Sequence, residues 1–209
     1  MLNFKIFERF DDECSKNFDL LIKNANYNFF QNYNYLKNLS LENKSDIKII
    51  SIFYDRKIIA ILPLEIKRYF IFKILQWIGT ERSDVCNPIL IKDFYSYFKN
   101  NDFLTLWNNI LNQVGNYDLI FFNNQISKIG NCINPFTKYV KSTQHSKIYQ
   151  IILPESFQKY LDNQKNIDKK KYYELHRTMI KSQKLNDELN VLFDIKKLPQ
   201  ENINFNDII

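Results

Sequence analysis

Two runs of β-branched residues set two positions apart constrain this chain more than any other feature. Ile47 to Tyr54 and Lys57 to Ile66 are dense in isoleucine, and only Asp55-Arg56 lies between them. Runs of this kind joined by a two-residue link predict an antiparallel hairpin. Phe70 to Ile78 reads as a third strand that ends at Gly79, followed by a polar loop from Thr80 to Pro88 and an ambiguous aromatic stretch from Ile89 to Phe98.

Around this hairpin the chain alternates helix and strand signals. Leu2 to Phe10 alternates as a strand. Asp11 and Asp12 supply an N-cap and a first-turn acid for a helix whose inner face carries Cys14, Phe18, Leu21, Ile22 and Ala25. A shorter helix is predicted over Phe29 to Leu39, with Phe29, Tyr33 and Leu36 inward. The clearest helix is Asp102 to Val114, with Phe103, Leu106, Trp107, Ile110, Leu111 and Val114 in one stripe and Gly115 placed to end it. Tyr117 to Phe122 is a continuous apolar run, which predicts a strand covered on both faces. A weak helix is expected over Ile126 to Asn131, and strands over Lys138 to Val140 and Lys147 to Leu153. Past Pro154, Glu155 to Lys184 reads as helix in two pieces, and Glu188 to Lys197 as a strand. The order predicts an α+β (α/β) fold, a mixed, mostly antiparallel central sheet flanked by helices. The expected division is a first domain over 1–153, a helical connector over 154–186 and the start of a second domain over 187–209.

Composition narrows the class. With 209 residues, 45% of them hydrophobic and 16% aromatic, the chain can bury a real core. No apolar run approaches the ~20 residues that span a bilayer, and the N-terminus lacks the pattern of a secretory leader, so a soluble cytoplasmic protein is expected. Cys14, Cys86 and Cys132 are odd in number and form no Cys-x-x-Cys pair, which favours reduced thiols and no metal site. The net charge of +6 comes from 29 Lys+Arg against 23 Asp+Glu. Lys, Asn, Ile, Phe and Tyr are abundant and Gly, Ala and Pro scarce, as AT-rich codons produce, so the charge is weak support for nucleic acid as a partner.

Several local patterns resemble one family. Phe30-Gln31-Asn32-Tyr33-Asn34-Tyr35-Leu36 resembles the aromatic segment on the second helix of the CelD/BioF-like (FemAB-like) acyltransferases of the GNAT superfamily. Ala60-Ile61-Leu62-Pro63-Leu64 is similar to their A-x-x-P-L strand. Trp77-Ile78-Gly79 with Ser83-Asp84-Val85-Cys86-Asn87-Pro88 resembles their G…S-D-Y-x-x-P loop, with Val85 in place of the aromatic. Tyr117-Asp118-Leu119-Ile120 is similar to W-D-x-L, and Tyr149 to Leu153 with Ser156 to Leu161 resembles the strand and helix closing the first half. The resemblance covers roughly residues 28 to 190. It implies two tandem GNAT-like domains, of which this chain is the N-terminal, acceptor-side half, truncated early in the second. It also implies acetyl-CoA or another acyl donor as cofactor, an amine on a sugar or cell-envelope precursor as acceptor, and Tyr35, Trp77 and Asp84 as candidate substrate-binding residues.

Such enzymes hold the donor's pyrophosphate on successive backbone amides in a Gly-rich turn at a helix N-terminus. Here the matching loop, Gly79 to Pro88, has one glycine, and the protein has only three, Gly79, Gly115 and Gly130. No donor site is therefore expected in this chain alone, which predicts an inactive half. No catalytic residue stands out. Asp84 is a substrate contact or a loop-capping aspartate; Glu65 and Glu81 read as solvated surface; His145 and His176 lack a partner acid. Cys86 has no nearby histidine to activate it. Trp77 and Trp107 are core residues or ligand platforms.

The helix after Pro154 is basic. Lys170, Arg177, Lys181 and Lys184 share one side, and Tyr172, Leu175 and Met179 the other. Its cations are a solvated inter-domain face, contacts for an anionic acceptor (Lys170, Arg177 and Lys181 foremost), or an RNA surface. The rival to an enzyme half is a degenerate GNAT domain that binds a protein partner or itself, through apolar surface around Val191, Leu192 and Phe193.

Overall fold

The computed structural model describes residues 1–43, 45–98, 102–140 and 154–189. They belong to two compact units, Met1–Ile148 and Tyr149–Ile209.

In the first unit, strand β1 (Leu2–Phe7) leads to helix α1 (Asp12–Ile22). The Asp11 carboxylate accepts the Cys14 amide at 2.8 Å, and Asp12 and Glu13 sit in the first turn, where the helix dipole favours acids. The predicted stripe of Cys14, Phe18 and Leu21 is buried. A short β2 (Ala25–Asn26) and a 3₁₀ turn at Phe29–Gln31 precede α2 (Tyr33–Asn43). Leu36 is buried as expected. Phe29 is 54% exposed, because it lies in the turn before the helix and not on its inner face.

The hairpin is present as β3 (Asp46–Tyr54) and β4 (Lys57–Tyr69), with Tyr54 opposite Lys57. Strand β4 runs three residues beyond its predicted end, then turns at Phe70-Ile71 into β5 (Phe72–Trp77). After β6 (Ile89–Ile91), a 3₁₀ turn at Phe94–Tyr97 and α3 (Asp102–Val114), strand β7 (Leu119–Ile120) returns parallel to β5. The sheet order is β1-β3-β4-β5-β7, with β6 joining β4 and β2 joining β6. The fold is thus the expected α+β class with a mostly antiparallel sheet. Its apolar core runs from Phe7 to Phe136.

Pro63 explains how one long strand serves two neighbours. Its carbonyl accepts the Ile78 amide at 3.0 Å, so its missing N–H also faces the β5 side. On that side β5 pairs only from Leu64 onward and β6 only with Ala60 and Ile61. The proline occupies the gap between them, where the ladder asks for no donor.

Four expectations are corrected. Tyr117 to Phe122 does not form a doubly covered strand: β7 is two residues long, with Leu119 51% and Ile120 40% exposed. Apolar content gave no information on edge position, and β7 is the last strand of its sheet path. Ile126 to Asn131 is not a helix. It contains β8 (Lys128–Ile129), which pairs with β9 (Cys132–Ile133) across Gly130 at φ 59°. Lys138 to Val140 is not a strand: Asn134 caps α4 (Pro135–Tyr139), accepting the Phe136 amide at 3.0 Å, with Pro135 in the first-turn position that suits it. Glu188 and Leu189 end a helix and do not start a strand. The strand predicted over Lys147 to Leu153 and the surface around Val191 to Phe193 lie outside the described residues.

The second unit contains α5 (Phe157–Ile167), capped by Ser156, and α6 (Lys169–Leu189). Asp168 between them accepts the Lys171 amide at 3.1 Å. Tyr172, Leu175 and Met179 are half-buried while Lys170, Arg177, Lys181 and Lys184 are exposed, as the periodicity predicts. No described helix is long and apolar enough to cross a membrane.

Candidate functional site

The feature that dominates the end of the sheet is where β5 and β7 part. They pair only at Ile74–Leu119 and Leu75–Ile120, with one further bond from the Phe121 amide to the Leu75 carbonyl. Beyond that point aromatic rings fill the space. Trp77 packs on Phe122 at 4.8 Å and edge-on to Phe136 at 5.5 Å, and Trp107 of α3 meets both Phe122 and Phe136. Trp77 is 1% exposed and its indole nitrogen has no hydrogen-bond partner among the described residues, so of its two readings burial favours core.

The loop from Gly79 to Pro88 follows Trp77-Ile78 directly and is tied to Asn124, two residues after Phe122. Four of its amides are spent on protein carbonyls: Thr80 donates to the Trp77 carbonyl, Arg82 and Ser83 to Gly79, and Cys86 to Asn124. Its carbonyls are held by carboxamides from distant segments. Asn124 Nδ2 donates to Thr80 at 3.1 Å and Ser83 at 2.9 Å, and Gln31 Nε2 to Asn87 at 2.8 Å and Pro88 at 3.1 Å. The buried Asn87 side chain accepts the Ile126 amide and an N–H of Asn134, which also donates to Gln125 and the Ile126 carbonyl. Unpaired buried carboxamides are costly, so such a cluster fixes its loops rigidly once complete.

Tyr35 of α2 reaches this loop beside Asp84 in the chain: its hydroxyl donates to the Arg82 carbonyl at 3.3 Å and lies 3.3 Å from Ser83 Oγ.

 The Asp84 carboxylate is exposed and has no hydrogen-bond or ion-pair partner among the described residues, so the loop-capping role weighed for it is not observed. The loop's other acid is committed. Glu81 accepts from Lys67 Nζ at 2.8 Å and from the Tyr69 hydroxyl, and those hydrogen bonds hold its carboxyl below the usual carboxylate range. Burial works most strongly against the Lys67 ammonium, but the bond to Glu81, together with the charges of Tyr69 and Glu81 and the Tyr69 hydroxyl, outweighs it and raises Lys67.

One reading of the sequence changes here. Glu65 is not surface: it is 1% exposed and accepts from Ser45 Oγ and, at 2.9 Å, from Gln76 Nε2. Burial pushes the Cys86 thiol up to about 12, which removes it as a nucleophile near neutral pH. The carboxamide cluster itself has no sequence signature, because its members come from four segments with no common spacing. Lys170, Arg177 and Lys181 lie on α6, in the second unit, and His145 lies outside the described residues. Among the described residues no group of His, Cys, Asp or Glu could hold a metal ion.

The residues of this loop do not fit a diphosphate. Four of its amides already have carbonyl partners. Gly79 turns its bare face to protein, with Leu39 Cδ1 2.5 Å and Ser83 Oγ 3.0 Å from where a Cβ would stand, leaving no room for a ligand oxygen. The next helix, α3, begins with Asp102, an acid at the end an anion would approach.

Comparison with known proteins gives little beyond this. No family model matches the chain, and no curated protein matches it. Three solved structures overlap it in part. A GNAT family acetyltransferase from Staphylococcus aureus is 15% identical with a TM-score of 0.39, over 71% of this chain and 98% of the other. An acetyltransferase from Trypanosoma brucei is 12% identical with a TM-score of 0.40, over 73% and 100%. Glucosamine-6-phosphate N-acetyltransferase from Arabidopsis thaliana is 12% identical with a TM-score of 0.39, over 72% and 99%.

Proposed function

We propose that this chain is the acceptor-side half of a GNAT-type N-acyltransferase, and that the acyl donor is held by elements other than the loop after β5. The observation that carries this reading is the loop itself. Four of its amides are spent on protein carbonyls, its glycine is packed against Leu39, and its exposed carboxylate, Asp84, has no partner among the described residues. A loop so fixed can present Asp84 to an amine and cannot wrap a diphosphate. The acceptor class, an amine on a sugar or cell-envelope precursor, and the donor, acetyl-CoA or another acyl thioester, rest on the resemblance of the Ser83-Asp84 and Tyr35 segments.

Titration of the full chain with acetyl-CoA by calorimetry tests it. No heat of binding is expected at concentrations well above the micromolar range. Micromolar binding to the chain alone sinks the proposal.

A second reading, a non-catalytic interaction module, is favoured by one specific observation. Leu119, Ile120 and Phe121 are 51%, 40% and 54% exposed at the end of the sheet path, and an open apolar edge is a template for another strand. Sedimentation equilibrium separates the two readings: a monomer at all concentrations, in the absence of any partner, counts against self-association through this edge.

A further inference from the structure

The β3–β4 and β4–β5 connections have the same length and backbone hand, and only one of them is polar. Asp55 at φ 54° opens the first turn and Phe70 at φ 53° opens the second. Aspartate tolerates the left-handed region and phenylalanine does not, so turn geometry alone selects Asp55-Arg56 and gives no reason for Phe70-Ile71. Yet Phe70 is 98% exposed, Ile71 81% and Phe72 48%. The result is a protruding apolar wedge, with Phe70 and Ile71 almost wholly free of their own fold and Phe72 half covered at its base.

Directly behind the wedge, Arg68 stands opposite Lys73 in the ladder. Like charges facing each other across strands repel. Neither side chain has a carboxylate partner among the described residues. The nearby acids are occupied: Asp46 is paired with Lys48 at 3.2 Å, Glu81 with Lys67, and Asp118 accepts the Lys73 backbone amide at 2.7 Å. Lys67, Arg68 and Lys73 line a surface depression of about 400 Å³ with Ser45, Asp46 and Asn116.

We infer that the β4–β5 tip docks on an anionic lipid surface, inserting Phe70, Ile71 and Phe72 among the acyl chains while Arg68 and Lys73 take headgroup phosphates. The charge pattern selects this occupant: the two opposed cations lack a counter-ion and stand one residue behind the apolar tip, the spacing of an interfacial wedge. A protruding tip also suits a fluid surface, which needs no matching cavity. The inference is independent of the acyltransfer reading.

Flotation of the full chain with vesicles tests it, using phosphatidylcholine alone and phosphatidylcholine mixed with phosphatidylglycerol. Binding is expected to the mixed vesicles and to fall with added salt. Phe70→Gly should weaken it about tenfold while the thermal midpoint holds or rises, since glycine suits the turn; that combination separates lost insertion from lost folding. Arg68→Gln and Lys73→Gln should each weaken it about fivefold. Inorganic phosphate at matched ionic strength should leave the chain on the vesicles. Failure to bind either vesicle, equal binding to both, undiminished binding by Phe70→Gly, or release by inorganic phosphate overturns the proposal.

Discussion

Gly79 has φ 79° and a side-chain position already taken by Leu39. Gly79→Ala therefore meets two penalties, the left-handed backbone and the displacement of a buried leucine end, and should destabilise the protein by about 1–3 kcal/mol. The midpoint of urea unfolding measures it; an unchanged midpoint would show that Leu39 moves aside freely and that the loop is not packed as described. Cys86 gives a second residue-scale prediction. With its thiol pushed up to about 12, its thiolate fraction at pH 8 falls on the order of a thousandfold below that of a free cysteine. Alkylation by iodoacetamide in the native state, followed by mass spectrometry, should leave Cys86 unmodified until denaturant is added. Cys14, also raised to about 12 by burial with Asp11 and Glu13 adding to it, should behave alike. Rapid native labelling of Cys86 would mean that the motif loop opens.

At the scale of elements, Asn134 joins the most structure. Its oxygen caps α4 and its nitrogen holds Asn87, Gln125 and Ile126, and Asn134 itself is 0% exposed. Asn134→Ala should cost about 2–4 kcal/mol, one cap and two or more orphaned acceptors. Asn134→Asp keeps the cap oxygen but aims a carboxylate at three other oxygens, so it should cost at least as much; if Asp were neutral, the cap alone would matter and the clamp would be unimportant. The Lys67–Glu81–Tyr69 contact ties β4 to the same loop, and its pH dependence has a fixed sign. Glu81 is depressed in the folded state, so its contribution is complete above its ordinary value of 4.5 and is lost as pH falls through its lower folded value. Lys67 is raised, so its contribution holds below 10.5 and is lost as pH climbs through its folded value. Protection factors of the loop amides, corrected for intrinsic exchange, should be flat between those limits, and Glu81→Gln should abolish the acid-side change. These elements also mark what the sequence could tell. Helix α3 and the β3–β4 hairpin were legible because their apolar spacing is local and sustained. Motif resemblance singled out Tyr35 and the loop that carries Asp84, and Tyr35 bonds to that loop at Arg82 and Ser83. The clamp was not legible, since Gln31, Asn87, Asn124 and Asn134 meet only through tertiary folding. Helix α4 was missed despite the Asn134-Pro135 pair, because five residues are too few to show a helical period and Lys138 to Val140 passes for a strand end.

At the scale of the molecule, buried apolar mass is distributed unevenly. The apolar core cluster runs from Phe7 to Phe136 without a member beyond it, and Leu161 is the buried hydrophobic residue found in the second unit among the described residues. Helices α5 and α6 carry stripes of half-buried residues and a mean polarity that two helices alone do not offset against their ordering entropy. Stability in the first unit should then be self-sufficient. A chain ending at residue 148, the limit of that unit, should unfold in one cooperative transition with a thermal midpoint within about 5 °C of the full chain, a shift equivalent to about 1–2.5 kcal/mol. Calorimetry on both chains decides it. If the shorter chain shows no cooperative transition, then the second unit supplies folding energy to the first, and the carboxamide clamp and aromatic plug are insufficient to hold the sheet end by themselves. If it does unfold cooperatively, the site at the end of β5 can be studied in isolation, and any activity lost with residues 149 to 209 is assigned to binding and not to folding.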